Sequence, residues 1–232
     1  MKKKIMASLL VGSAVVGASL APLSAQAVTT GNTPVQVEFG GGTLPNHDGG
    51  VINVDPDPNT SNTDFDLLAI PKSLNFSPVK IGEDLSDIQL LSSERGRSVM
   101  AGDLRGTKEG WHVTGEITEM KNGTDRLDGQ FKFGMTPYYA VFNVSSGLYG
   151  GMASQNGMNI TDDPTAPSFI GTNMTIGGGA TTLINATVGQ GQGTWSGRID
   201  NMTLNVTTPY QQIKAGAYTG NITWNLVAGP SI

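Results

Sequence analysis

Apolar residues in this chain recur at every second position in short runs, and nowhere at the spacing of an amphipathic helix. Phe131-Lys-Phe133-Gly-Met135, Met202-Thr-Leu204-Asn-Val206 and Ile222-Thr-Trp224-Asn-Leu226 are the clearest cases. A two-residue period turns one set of side chains to a core and leaves Lys, Thr and Asn to solvent, which is strand patterning. The 32 glycines, with many Thr and Asn, break these runs with turns, so the chain reads as all-β. Many short strands between turn signals predict a single β-sandwich or Greek-key-like domain with long loops.

The pattern predicts strands at 65–70, 74–76, 88–91, 98–103, 111–117, 130–135, 139–144, 183–188, 193–199, 201–207 and 216–226. A further alternating segment, Val35-Gln-Val37-Glu-Phe39, stands ahead of them. Residues 147–179 are rich in Gly, Ser, Asn, Met and Pro and read as a loop insertion.

Three parts follow from composition. Lys2, Lys3 and Lys4 precede an uncharged apolar run over 5–20, and Ala25-Gln26-Ala27 offers a small-x-small cleavage site. This is a secretory signal over 1–27, too short in its apolar run for the ~20 residues of a membrane span. Residues 28–63 are an acidic Gly/Pro-rich entry segment, in which Pro56 and Pro58 block helix and ladder donors and predict an extended linker. The β domain is expected over 64–232. Beyond the signal no apolar stretch is long enough to cross a bilayer, so no transmembrane anchor is expected.

Removing the signal leaves 11 basic against 19 acidic groups, a net charge of −8. That argues against nucleic acid as a partner, which needs a basic face, and against adsorption to anionic membranes or teichoic acids. With no cysteine there is neither a disulfide framework nor thiol chemistry.

Enzyme chemistry needs converging titratable groups. The two histidines, His47 and His112, sit in no nucleophile motif, and no H-E-x-x-H, G-x-S-x-G or phosphate-cradling glycine run is present. Glu116 with Glu119 and Asp125 with Asp128 have the look of glycosidase carboxylate pairs, but solvated charges explain them equally. Asp55-x-Asp57-x-Asn59-x-Ser61-x-Thr63-x-x-Asp66 has the alternating oxygens of a calcium loop. Thr60 stands where that loop needs glycine, and prolines interrupt it, so a solvated linker is the better reading. No catalysis, cofactor or metal is expected.

Trp111, Trp195 and Trp224 are the evident ligand candidates, because aromatic faces offer apolar area to a sugar. A tryptophan between Ile222 and Leu226 on an alternating strand is equally a core residue, and both readings stay open.

Four separated segments resemble the WxL-domain surface proteins of Gram-positive bacteria. Phe65-Asp-Leu-Leu-Ala-Ile-Pro71-Lys-Ser-Leu74-Asn-Phe76 looks like that family's opening strand and turn. Asp103-Leu-Arg105-Gly106-Thr-Lys-Glu-Gly110-Trp111-His-Val113 is similar to its "D-x-R-G…G-W" segment, and Gly193-Thr-Trp195 to its "G-x-W" step. Ala215-Gly216-Ala-Tyr218-x-x-x-Ile222-Thr-Trp224-Asn-Leu226-x-x-x-Pro230 is similar to the distal WxL signature. One departure is Val113 where the family usually has Leu, a difference of one methylene worth ~1 kcal/mol.

The resemblance implies noncovalent docking on cell-wall peptidoglycan through the C-terminal domain, at the exported cell surface. It also implies a multi-protein surface complex with a membrane-anchored WxL-interacting protein and other surface proteins, with a host ligand as a further candidate partner. Trp111, Trp195, Tyr218, Trp224 and Leu226 then become candidate wall or partner contacts, or core. No Leu-Pro-x-Thr-Gly sorting motif occurs, in keeping with noncovalent retention. Two other accounts stand beside this one. The first is an adhesin or structural subunit held by a partner that adds a strand to the last strand. The second is a secreted carbohydrate-processing module.

Overall fold

The computed structural model describes residues 34–46, 54–56, 61–91 and 97–231. The secretory signal, His47 and residues 57–60 of the calcium-like run lie outside the described residues. The chain divides into two units at Glu38/Phe39. Of the first, residues 34–38 are non-strand coil with exposed side chains.

The strands run in chain order as β1 (Val54–Pro56), β2 (Phe65–Pro71), β3 (Ile88–Gln89), β4 (Arg97–Asp103) and β5 (Trp111–Asn122). Next come β6 (Asp125–Arg126), β7 (Gly129–Asn143), β8 (Leu148–Met152), β9 (Ser154–Gln155) and β10 (Met158–Asn159). The last are β11 (Ser168–Phe169), β12 (Asn173–Thr175), β13 (Thr181–Ala186), β14 (Gly193–Val206) and β15 (Thr219–Ala228). Two single-turn 3₁₀ segments, Ile160–Asp162 and Tyr210–Gln212, are the only helical turns among the described residues. The protein is all-β, as the alternation predicts.

An eight-stranded sheet takes the order β1-β2-β4-β14-β7-β12, with β3 on β14 and β8 on β7. A five-stranded sheet takes the order β11-β13-β5-β15, with β6 on β5. The named strand pairs are all antiparallel, and β9 with β10 makes a separate hairpin. Val99, Ala101, Phe131, Trp195 and Ile199 of the large sheet meet Trp111, Val113, Ile117, Leu183 and Ile184 of the small one in the main core. Neighbouring residues on β2 and β4 face the other way. Leu68, Ala69 and Met100 join Leu44, Ala140 and Tyr149 in a second core on the outer face of the large sheet. Because β4 is buried on both faces, it reads as a continuous buried run instead of an alternating one.

Several expectations change in instructive ways. The alternating segment at 35–39 forms no strand, because alternation needs a partner strand and among the described residues it pairs with none. The entry segment nevertheless enters the fold: Gly42 N–H donates to Leu104 O, Leu44 N–H to Thr63 O, and Leu44 is buried. Val54–Pro56 pairs with β2 at the sheet edge, where a proline without N–H costs no inner ladder bond.

The runs at 130–135 and 139–144 are one strand, β7, continuous through Pro137. Its outer side is taken by β12 at 130–132 and by β8 at 139–143, leaving Pro137 in the stretch whose strand neighbour is β14 alone. Likewise 193–199 and 201–207 are one strand, β14, bent by a register shift between Asp200 and Thr203, with Asn201 at φ 51°. The presumed insertion at 147–179 contains five short strands. One hairpin turns on Asn156-Gly157, with φ of 50° and 81°, which is the type I′ requirement.

Candidate functional site

Trp111 opens β5 and is fully buried; Trp195, near the start of β14, is 2 % exposed. Both indole N–H groups donate to one acceptor, the carbonyl of Gly191, at 3.0 and 2.8 Å. A carbonyl oxygen has two lone pairs, so both buried donors are satisfied at a single atom. Residue 191 must be glycine for this. Its φ is +80°, and a Cβ there would stand 2.5 Å from both Trp111 Nε1 and Ala186 Cβ. Gly191 N–H in turn donates to Thr165 O at 2.8 Å, which fixes the 187–192 loop beneath the two rings.

The segment before Trp111 is held by charge. Arg105 Nε and Nη2 each lie 2.9 Å from the two oxygens of buried Asp103, and the guanidinium stacks 3.8 Å over the Phe65 ring. Glu109 adds a second carboxylate to Arg105. Hydrogen bonding to Asp103 is the main reason the guanidinium is held above its ordinary range. Gly110, at φ +82°, lets the chain pass Ala186 O, which a Cβ would approach to 2.4 Å. The "D-x-R-G…G-W" spacing is therefore a clamp that delivers Trp111 to the core.

β15 carries the other three candidates. Ile222, Trp224 and Leu226 are half-buried on its inner face, Thr223 and Asn225 are exposed, and Tyr218 is half-buried just before it. Tyr218 Oη accepts from Lys214 N–H at 3.0 Å. His112 Nδ1–H donates to Gly229 O at 2.8 Å and latches the end of β15 to β5. Leu226 pairs with Val113 and Trp224 with Gly115, so the two tryptophan motifs lie on adjacent strands. The five candidates thus split: Trp111 and Trp195 are core, while Tyr218, Trp224 and Leu226 are partly accessible.

Two clefts follow this division. The first, of about 280 Å³, lies between β15 and residues 70–76, with apolar Ile70, Leu74, Phe76 and Trp224 and polar Lys72 and Asn221 among its walls. The second, of about 250 Å³, is polar, with Tyr139 and Trp195 in its lining beside Gln155, Asn156, Asp163 and Gln192. Sequence reasoning missed it, although the Asn-Gly turn that brings Gln155 and Asn156 there is a readable hairpin signal.

The Asp163 carboxylate is held on three sides. Thr165 donates to Oδ1 through its amide at 2.8 Å and its hydroxyl at 2.7 Å, and Tyr139 Oη donates to Oδ2 at 2.9 Å. Burial works to raise its pKa, but the Thr165 and Tyr139 bonds outweigh burial and keep it below the usual carboxylate range. Among the described residues no side-chain hydrogen bond engages the amides of Gln155, Asn156 or Gln192.

The carboxylates suggestive of a glycosidase do not converge on either cleft. Glu119 is tied to Lys121 and Arg126, and its pKa is lowered chiefly by the Lys121 hydrogen bond. Among the described residues no three His, Asp or Glu side chains are grouped to hold a metal.

Burial pushes the Tyr139 hydroxyl up to about 12, with help from its bond to Asp163, and burial alone does the same for Tyr149. A raised folded-state pKa means stability fully present below the unfolded value near 10 and lost as pH rises through about 12. Ultraviolet titration of tyrosinate should show two of the five tyrosines ionising last, as the domain melts. Ionisation of all five near pH 10 in folded protein would contradict this packing.

The fold is an all-β domain of two antiparallel sheets with a buried indole knot in its core. A family model described as "WxL domain surface cell wall-binding" matches residues 26–230. The chain belongs to the WxL family, a family of cell-wall-binding surface domains and not of enzymes, and its place is the cell surface. Comparison with curated proteins and with solved structures returns no match. Among the described residues no helix is long and apolar enough to cross a membrane.

Proposed function

We propose that this protein docks noncovalently on cell-wall peptidoglycan, taking an N-acetylated sugar of the glycan strand into the polar cleft between Tyr139, Trp195 and the Asn156-Gly157 turn. What supports this is the lining: three carboxamides without side-chain partners and one oriented carboxylate around an aromatic base. Neutral donors and acceptors of this kind suit hydroxyl and acetamido groups, and the buried Tyr139 and Trp195 rings form a rigid floor beneath them. The acidic chain disfavours the anionic wall polymers by charge, which leaves the neutral glycan as the fitting ligand. No bond is made or broken in this docking. Membership of a larger surface complex is part of the same reading and draws on the family alone.

Titration calorimetry with a soluble N-acetylglucosamine oligomer tests the cleft. Gln155 and Gln192 are exposed and contribute nothing to the core, so Q155A/Q192A should keep the native melting point. The double variant is expected to bind about tenfold more weakly, or ~1.4 kcal/mol. Unchanged affinity in the folded double variant would remove the cleft from the account.

A further inference from the structure

We propose that the open edge of β15 accepts, as an added strand, the 35–39 segment of a second copy of this chain, linking molecules at the surface. The inference begins with sheet edges. An exposed edge presents unpaired N–H and C=O groups, and proteins ordinarily blunt it by shortness, charge or proline. The other path ends of the two sheets obey that rule: β1 has three residues including Pro56, β12 has three and β11 has two, while β8 on β7 is uncharged but only five residues long. β15 does not. It has ten residues, Thr-Gly-Asn-Ile-Thr-Trp-Asn-Leu-Val-Ala, with no charge and no proline. Its one register shift lies between Gly220 and Ile222, so 222–228 run unbroken beside β5.

The edge is also apolar where it should be dry. Ile222, Trp224 and Leu226 remain only half-buried, and the first cleft opens between β15 and residues 70–76. A further strand would present alternate side chains to this inner face and the rest to solvent.

The same sequence carries a segment with that pattern, paired with no strand among the described residues. Val35, Val37 and Phe39 are 95 %, 72 % and 88 % exposed, with Gln36 and Glu38 between them. Three large apolar side chains at alternate positions, left in water, are the complement of an acceptor edge whose alternate side chains are half-covered. Every copy therefore brings one donor and one acceptor, and head-to-tail linkage follows from a heterologous contact of this type.

The absence of native cysteine makes the test clean. Gln36→Cys in one preparation and Asn225→Cys in another place thiols on the outward-facing positions of the two strands, leaving the apolar residues intact. Mixed under mild oxidation, they should form a cross-linked dimer at least tenfold faster than either does with V188C, an exposed loop control. In the untouched chain, sedimentation should show concentration-dependent association that V37D abolishes without changing circular dichroism or the melting point. Equal rates with the control, with no association of the wild type, would overturn the proposal. Preferred pairing of Asn225→Cys with itself would assign the edge to a second β15 instead. A dilution-independent cross-link within single Q36C/N225C chains would assign it to the chain's own segment, and either result overturns the proposal as stated.

Discussion

Trp111→Ala is expected to destabilise the domain by about 3–5 kcal/mol. The indole is wholly buried at the start of β5, and its neighbours belong to a close-packed core that cannot collapse around the loss. The side chain also organises its surroundings, since Gly191 O accepts from both tryptophans. Trp111→Phe separates the two contributions. It keeps most of the ring and leaves the carbonyl satisfied by Trp195, so it should cost much less than the alanine variant, about 1–2 kcal/mol. Urea denaturation followed by circular dichroism reads both variants. If Trp111→Ala proved as stable as wild type, the indole would have to lie outside the core, contrary to its position here.

Asp103→Ala is expected to cost about 3–5 kcal/mol, because it removes one partner of a desolvated ion pair and strands the other. The Arg105 side chain is 14 % exposed and the Asp103 side chain 2 %, with the guanidinium forked across both carboxylate oxygens. Glu109 can retain one end of Arg105 but cannot restore the fork. The Arg198–Asp200 pair is the internal control. Its side chains are 44 % and 32 % exposed and solvent screens their attraction, so loss of Asp200, which also accepts from Thr136 Oγ1 at 2.7 Å, should cost about 2 kcal/mol or less. Paired melts of the two alanine variants give the comparison, and equal losses would show that burial is not what makes the Asp103–Arg105 pair matter.

These two expectations also mark what was legible in the sequence. The two-residue period revealed the strands around Phe131, Met202 and Trp224 because each has one wet and one dry face. It could not reveal that β7 and β14 each join two such runs, since a proline and a positive-φ asparagine look like breaks when the partner strand is unknown. Nor could it separate the tryptophans. Trp111 and Trp224 stand in similar motifs, but β5 is flanked by β13 and β15, whereas β15 has β5 as its one strand neighbour. A central strand buries its indole and an edge strand leaves it half-covered, and position in the sheet is a property of the fold alone.

The polar cleft was illegible for a related reason. Tyr139, Gln155, Asp163 and Gln192 come from four separate stretches, and their types show no spacing that marks a site. The segment at 35–39 failed in the opposite direction. Its alternation is sound strand patterning, but among the described residues it pairs with no strand.

The most direct test of the central claim is cosedimentation of the purified chain with peptidoglycan sacculi stripped of protein and teichoic acid. Direct glycan docking predicts that the folded wild type pellets at moderate salt and that Q155A/Q192A pellets markedly less at the same melting temperature. Wild-type protein that stays in the supernatant while fully folded would contradict autonomous wall binding and leave retention to a protein partner.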